Sequence, residues 1–591
     1  MSPGDEYERR LSLWEARVAR CDVLQGRVGA ARLVLAALAI VVGWESLHAR
    51  VISGAWLLVP VALFVGAVIY HARERARGAR AARAAAYYRK GLGRLRDSWA
   101  GAGRSGDRFF DPHHVYAADL DLFGRGGLFE LLCAARTRVG EETLARWLLG
   151  PATLEQIHQR HAAIEDLRDR LDLREEAWVL PGDAEPAAES AALLAWAESA
   201  NLLERPWIRW AAISLPVLCA ASLAVWAIFA TPLPFVIVLL IELALLHGLR
   251  APLAQVLAER AFDDLKTCSL LLARIEREAF QAPSLQALVR GLSMRGHGAA
   301  DSLERLVSIA QLAGSRDNML VRIVSLPILY PLHVAFAAER WRTLHGREVR
   351  AWIDAVGRFE ALTSLAQYRF EHPEDPFPQF LERPQPLLEA LQLGHPLIPT
   401  GQCVRNDLAI SLPARALLVS GSNMSGKSTL LRAVGTNVVL AMAGAPVRAR
   451  SLRLTPLHVA ASLRVNDSLA EGSSRFYAEI IRLRQVYELA AGSPPVLFLL
   501  DEILQGTHSW DRRIGAEALV RALLGRNAIG LLSTHDLALT QIDGVAEGTL
   551  CNVHFRDELQ DGHMTFDFKL RDGVVAKSNG LELMRSIGLE I

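Results

Sequence analysis

Two kinds of apolar stretch occur along this chain, and their lengths separate them. Trp210 to Ile241 holds no charged residue, well beyond the roughly 20 residues a helix needs to cross a hydrocarbon core. Pro232 and Pro234 divide it, which predicts crossings at Ala211–Ala230 and Leu233–Leu249, with Glu242 inside the second. Ile52–Tyr70 is also charge-free, and Leu33–Trp44 is shorter, with Arg32 and Glu45 placed to snorkel from its ends. Two membrane hairpins are therefore expected, at 30–71 and at about 210–249. Val321–Ala338 is apolar too, but Arg322, Pro327, Pro331 and His333 interrupt it, and it reads as a long buried helix. The second kind of stretch is only five or six residues long. Ala416–Ser420, Pro495–Leu500 and Ala528–Leu532 are apolar throughout and bounded by turn formers, the pattern of buried parallel strands.

Charge gives the hairpins a direction. Arg73, Arg75, Arg77, Arg80, Arg83, Arg89 and Lys90 follow Tyr70, whereas the link between the first two segments offers only Arg50. Basic flanks stay in the cytoplasm, so the N-terminus (1–29) and the run after Tyr70 are assigned inside, and Arg205, Arg209 and Arg250 agree for the second pair. An integral protein of the cytoplasmic membrane is expected, with its bulk on the cytoplasmic side. Residues 72–105 read as a basic helical stalk, its arginines set to meet anionic lipid rather than nucleic acid. Net charge is +1, so no overall basic field draws the chain onto DNA. Hydrophobic residues make up 51%, high for a soluble enzyme and low for a pure transporter. Six cysteines lie scattered with no C-x-x-C spacing, which supports neither a metal site nor a disulfide framework.

The short strands carry the chemistry. Gly421, Ser422, Asn423, Met424, Ser425, Gly426, Lys427 and Ser428 fit G-x-x-x-x-G-K-[ST] between a strand and a helical stretch opening at Thr429. Glycines let such a loop wrap close to phosphates, and N–H groups at the helix start point at the anion. Lys427 is then the cation for the β- and γ-phosphates of ATP, and Ser428 a ligand for Mg²⁺. The strand Pro495–Leu500 delivers Asp501 and Glu502, the first suited to the Mg²⁺ shell, the second to orienting or deprotonating water. The strand after it ends in Ser533-Thr-His535, which places His535 to sense the γ-phosphate.

Between loop and acids, Ser462 to Glu479 includes Gly472-Ser-Ser474-Arg-Phe476. This segment resembles the MutS signature region, a loop ending in Gly-x-Ser-x-Phe that starts a helix. The phosphate loop with its Asn-Met pair, Asp501-Glu-Ile-Leu-Gln-Gly-Thr507, Ser533-Thr-His535 and the tail Asp572–Gly580 resemble the same family. The dense resemblance runs from Gly394 to the C-terminus. A weaker one, from Asp119-Leu-Asp-Leu-Phe123 through Thr137 and Gly140 to Trp147-Leu148, resembles the start of the MutS core. The resemblance implies a multidomain chain. Its C-terminal part (385–591) is an α/β P-loop ATPase of the ABC superclass, MutS type. A mainly α-helical MutS core or lever region (106–384) precedes it, and the transmembrane hairpin at about 210–249 is an insertion within that region. It further implies a homodimer through the ATPase domains, in which Ser474 faces the γ-phosphate held by the other subunit, and an adenine-side turn at His395-Pro396.

Departures from the family's pattern bear on function. Residues before Asp119 form a hairpin and stalk where MutS proteins carry a mismatch-reading domain and connector, and no Phe-x-Glu wedge occurs there. The leading expectation is a membrane-anchored MutS-like ATPase whose dimer moves a helical lever acting on DNA or a protein partner. DNA mismatch repair is the alternative. An ABC-type transporter ranks below both, because Glu471-Gly-Ser-Ser-Arg-Phe476 stands in place of Leu-Ser-Gly-Gly-Gln.

Overall fold

The structure is a computed structural model. It describes residues 2–46, 53–181, 190–257, 265–292, 298–314, 325–422, 424–464, 475–535, 539–540, 548–560 and 563–574.

The N-terminal helix, Pro3–Trp44, starts at a capping box in which the Ser2 and Asp5 side chains satisfy each other's backbone N–H groups. It runs beside the stalk helix, Leu58–Leu95. Glu74, Gly78, Ala81, Ala85, Tyr88 and Leu92 of the stalk are buried, a spacing of alternating four and three residues that keeps one seam facing a partner helix. Small residues in that seam permit close approach. A Cβ on Gly91 would lie 2.4 Å from the Tyr7 ring, so only glycine leaves room for that aromatic. The apolar and polar portions of each are thus one continuous helix.

The stalk arginines correct the lipid reading. Arg80 pairs with Glu176 at 3.3 Å, Arg89 with Glu15 at 3.1 Å, and Arg83 donates to the Val179 carbonyl. Arg94 makes a two-pronged pair with Glu371, each contact 2.8 Å, and the Tyr7 hydroxyl donates to the same carboxylate at 3.2 Å. The run beyond Arg77 is therefore spent largely on protein acids, not on lipid.

In the second hairpin, Pro206–Phe229 ends at Ala230 in the left-handed region (φ 54°), and Pro232 opens Leu233–Gly248. Glu242 is fully buried against the partner helix, while Trp210, Ile213, Val217, Ile228 and Leu233 are exposed. The chain then bends by 61° into Arg250–Val256, where Pro252 has no N–H to offer the Gly248 carbonyl. Among the described residues, Pro3–Trp44, Ala55–Leu95 and Pro206–Phe229 are long and apolar enough to cross a membrane, and the bent pair makes a fourth if taken as one span.

The helical body is organised on Val349–Glu371, buried along most of its length against Arg138–Leu148 and Leu154–Arg168. A short helix spans Leu128–Leu132. One sequence expectation changes here. The helix expected across Val321–Ala338 begins at Tyr330, because Leu329 adopts φ 47° and Pro331 occupies the first turn, where its missing N–H costs nothing. Residues 321–324 lie outside those described.

Two sheets follow. The smaller runs β1 (Gln379–Phe380), β5 (Ser451–Leu454), β2 (Leu388–Leu393), β3 (Asn406–Ile410). The larger has the order β10 (His563–Asp572), β9 (Leu550–Gln560), β4 (Ala416–Ser420), β8 (Ile529–Thr534), β7 (Val496–Asp501), β6 (His458–Ser462). All its pairs are parallel except the β9–β10 hairpin. The helix Lys427–Ala443 lies against β7, and a Cβ on Gly435 would come within 2.6 Å of Leu499 and 2.7 Å of Leu120. That glycine lets the loop helix sit close on the sheet and on the helical body at once.

Replacing Arg94 by Met should strand the buried Glu371 carboxylate and cost about 3–5 kcal/mol of stability. Chemical denaturation of the detergent-solubilised chain reads this, and adding Glu371→Gln should recover part of the loss.

Candidate active site

Parallel pairing aligns three strand ends on one edge. Ser420 stands opposite Thr534, and Asp501 opposite Ser533, so the loop after β4, the acids after β7 and His535 after β8 open at the same side of the sheet. Ligands collect outside the carboxyl ends of such strands.

The loop is shaped for an anion. Gly421 (φ 151°) and Gly426 (φ 105°) take conformations closed to most side chains, and Met424 (φ 71°) is exposed. The first-turn N–H groups of Lys427–Ala443 have no carbonyl one turn earlier to bond. The Ser422 and Ser425 hydroxyl oxygens are buried without a hydrogen-bond partner. Buried orphan hydroxyls beside free amides are what a phosphate would satisfy. Lys427 is buried, and its ammonium donates to the Gly421 and Ser422 carbonyls at 2.8 and 2.9 Å. Burial pulls its pKa down, while Glu502 and Asp501 oppose that shift.

Glu502 is held from several directions. Its Oε1 lies 3.8 Å from Lys427 Nζ and 3.2 Å from His535 Nδ1, and Gln505 donates to its Oε2. Its backbone sits at φ 47°, where a residue other than glycine is strained, and its N–H donates to the Ser533 carbonyl at 3.2 Å. The sharp turn throws the carboxylate back over the loop. Asp501 accepts the Ser533 hydroxyl, which leaves its second oxygen for other work. Ser428 is half-buried one residue beyond the lysine.

The MutS domain V family model matches residues 417–590, spanning this whole edge. The C-terminal region is a MutS domain V. This region carries the likeness to the MutS family, and the match covers less than a third of the chain. The endonuclease MutS2 of Thermus thermophilus is 34% identical over 220 residues, which make up 36% of this chain and 27% of that protein. The chain thus spans about a quarter of the length of the curated relative it matches.

Within this MutS domain V, the helix Arg475–Leu489 is tied to the acidic loop. Glu479 accepts the Leu504 N–H at 2.5 Å, and a Cβ on Gly506 would lie 2.8 Å from Phe476. The glycine of the Asp501–Thr507 string is there to admit the Phe476 ring. Asn423 and Ser474 lie outside the described residues. His395 is buried, its Nδ1 accepts the Leu397 N–H at 3.2 Å, and burial together with the Arg432 charge pulls its pKa to about 4. It flanks the middle of the loop helix, where Asn437 donates to the Gly394 carbonyl, and it takes no part in the Glu502–His535 cluster.

Three participants escaped the sequence reading. Gln505 and Ser533 orient the two acids, and Phe568 packs beside the loop. Phe568 (φ 53°) sits where the β9–β10 register shifts, is partly exposed, and stacks with Phe566 at 5.9 Å. A Cβ on Gly426 would lie 3.1 Å from its ring. Two aromatics in the otherwise polar Thr565–Lys569 were the available signal.

Asp119 joins this domain to the helical body. Its buried Oδ1 accepts the Leu463 and Arg464 N–H groups, both at 2.8 Å, its carbonyl accepts Arg432 Nε at 3.1 Å, and burial raises its pKa. Asp119→Ala should leave two amides unsatisfied at the end of β6 and cost about 1–3 kcal/mol. Faster amide hydrogen exchange at Leu463 and Arg464 than at β7 would register it.

Proposed function

We propose that the chain is a membrane-anchored MutS-like ATPase that binds and hydrolyses ATP with Mg²⁺. The observation carrying this reading is the convergence of Lys427, Glu502 and His535 beside a loop with buried, unpartnered Ser422 and Ser425 hydroxyls. On nucleotide binding, Lys427 exchanges its two loop carbonyls for phosphate oxygens, and the loop's N–H groups and serines take the remainder. Mg²⁺ would supply charge neutralisation at the phosphates, with Ser428 and Asp501 as its protein ligands. Among the described residues no group of three or more His, Cys, Asp or Glu could hold a metal by itself. The site therefore suits an ion that arrives with phosphate. Glu502, freed from Lys427, orients the attacking water, and His535 meets the γ-phosphate. Phe568 offers an aromatic face for the nucleoside, and His395-Pro396 remains the adenine-side turn proposed from the family resemblance. By the same resemblance Ser474 completes the site of a second copy in a homodimer, whose closure moves the helical lever against DNA or a protein partner.

Lys427→Ala should weaken ATP binding on the order of a hundredfold, since it removes the charged donor. Glu502→Gln should bind ATP normally and lose turnover. Equilibrium binding and phosphate release separate these, and a Glu502→Gln chain that turns over at the normal rate would remove Glu502 from its role.

The membrane part of the proposal rests on exposure. The apolar windows of Pro3–Trp44, Ala55–Leu95 and Pro206–Phe229 are 0%, 6% and 17% buried, more apolar surface than a water-soluble chain exposes. Arg73 and Arg75 stay exposed beyond Tyr70, which supports an ATPase on the cytoplasmic side of the cytoplasmic membrane. The protein should resist carbonate extraction. A cysteine at Thr231 should react with an impermeant thiol reagent on whole cells, and one at Ser105 only after lysis. Complete carbonate extraction into the soluble fraction contradicts the proposal.

A further inference from the structure

A cavity of about 290 Å³ lies where the foot of the stalk meets the helical body. Five cations line it, namely Arg89, Lys90, Arg94, Arg104 and Arg136, with the Trp178 ring among them. Its one acid, Glu130, is already spent on backbone amides, accepting from Gly101, Gly103 and Gly126 at 2.7–2.8 Å. Three of the cations have carboxylate partners, Arg89 with Glu15, Arg94 with Glu371, and Arg104 with Glu141. The Arg136 guanidinium lies 4.6 Å from the Trp178 ring centre and Lys90 Nζ 5.8 Å from it. Lys90 makes no hydrogen bond or ion pair among the described residues. Lys90 is exposed as a residue, and partial desolvation of its ammonium together with the charges of Arg136, Arg94 and Arg104 lowers its pKa. Like charges gathered round a cavity repel one another, and without an anion the arrangement opposes folding rather than aiding it.

We propose that this cavity binds a compact phosphate-bearing anion, such as an organic phosphate or diphosphate, with Lys90 as its principal contact. Guanidinium and ammonium groups around a concave site match phosphate oxygens by charge-assisted hydrogen bonds. The volume suits a small molecule and leaves no room for a duplex groove. Lipid headgroups share the phosphate chemistry, but Lys90 lies about twenty residues beyond Tyr70 along one helix, or about 30 Å at the helical rise. That distance favours a water-soluble ligand. Bound there, the anion bridges the stalk helix, through Lys90, to the body, through Arg104 and Arg136, and would tighten the junction between the membrane hairpin and the ATPase. The site is separate from the phosphate loop and stands whether or not the loop hydrolyses ATP.

Inorganic pyrophosphate is the probe, titrated calorimetrically into the full-length chain in nanodiscs, with Lys427→Ala to silence the phosphate loop. About one equivalent should bind per chain. Adding Lys90→Gln should weaken binding about tenfold, as expected for one lost charge-assisted contact, and Lys90→Glu should abolish it. Because Lys90 has no hydrogen bond or ion pair to lose and its charge adds to the repulsion, neither variant should unfold at a lower temperature without ligand. Unchanged affinity in anionic and zwitterionic nanodiscs supports the soluble source. Loss of pyrophosphate binding in anionic nanodiscs would reassign the cavity to a lipid headgroup, and displacement by duplex DNA would reassign it to nucleic acid. No saturable binding in the Lys427→Ala chain, or binding indifferent to Lys90→Glu, overturns the site altogether.

Discussion

The buried carboxylate of Glu371 is the constraint round which the molecule is assembled. A carboxylate taken out of water needs partners at both oxygens. Glu371 finds them on separate elements, Arg94 on the stalk and Tyr7 on the N-terminal helix, with Gln367 one turn back on its own helix. Losing the stalk would leave Glu371 without its counter-charge, and losing the N-terminal helix would remove a hydrogen bond from the same carboxylate. Four residues further on, Asp375 is buried in turn, accepts the Tyr368 hydroxyl at 3.0 Å, and pairs with Arg448 at 3.1 Å. The Arg448 N–H donates to Asn437, on the phosphate-loop helix, at 2.6 Å. A chain of buried polar groups therefore runs from the foot of the stalk to the helix that carries the phosphate loop.

That chain explains why the arginines after Tyr70 misled a reading of the sequence. Density of positive charge beside an apolar segment is visible in one dimension. The acids that answer it, Glu176 and Glu371, lie far along the chain, and only the fold brings them near. The same holds for Gln505, whose role depends on Glu502 adopting φ 47° and turning back toward it. Phe568 likewise gains its place from a register shift between β9 and β10 that no periodicity announces.

What could be read was local. The strands of the larger sheet are buried on both faces, so their residues are apolar without alternation, and β4, β7 and β8 stood out for that reason. Because β4, β8 and β7 pair in parallel, their carboxyl ends and the residues that follow them fall on one edge. The long apolar helices were legible on similar grounds, since charge-free stretches such as Ile52–Tyr70 and Trp210–Ile241 are too long for single strands. The helix over Val321–Ala338 was misjudged because periodicity outweighed Pro331, which starts a helix more readily than it sits inside one.

Asp119 shows how the two halves are joined at the site itself. Its carboxylate closes the end of β6 through two backbone N–H groups, and its own carbonyl is held by Arg432, five residues past Lys427. Asp121 adds a second link, pairing with Arg464 at 2.8 Å. The first segment of the helical body is thus bonded both to the phosphate-loop helix and to the strand end that leads toward Ser474. Gly435 adds a packing constraint, because Leu120 and Leu499 approach it from opposite sides of the domain boundary. A loop helix fixed this closely cannot shift relative to β7 without pressing on Leu120, and through it on the helical body. Close packing around one glycine and one aspartate thus holds the helix after the loop to the helical body.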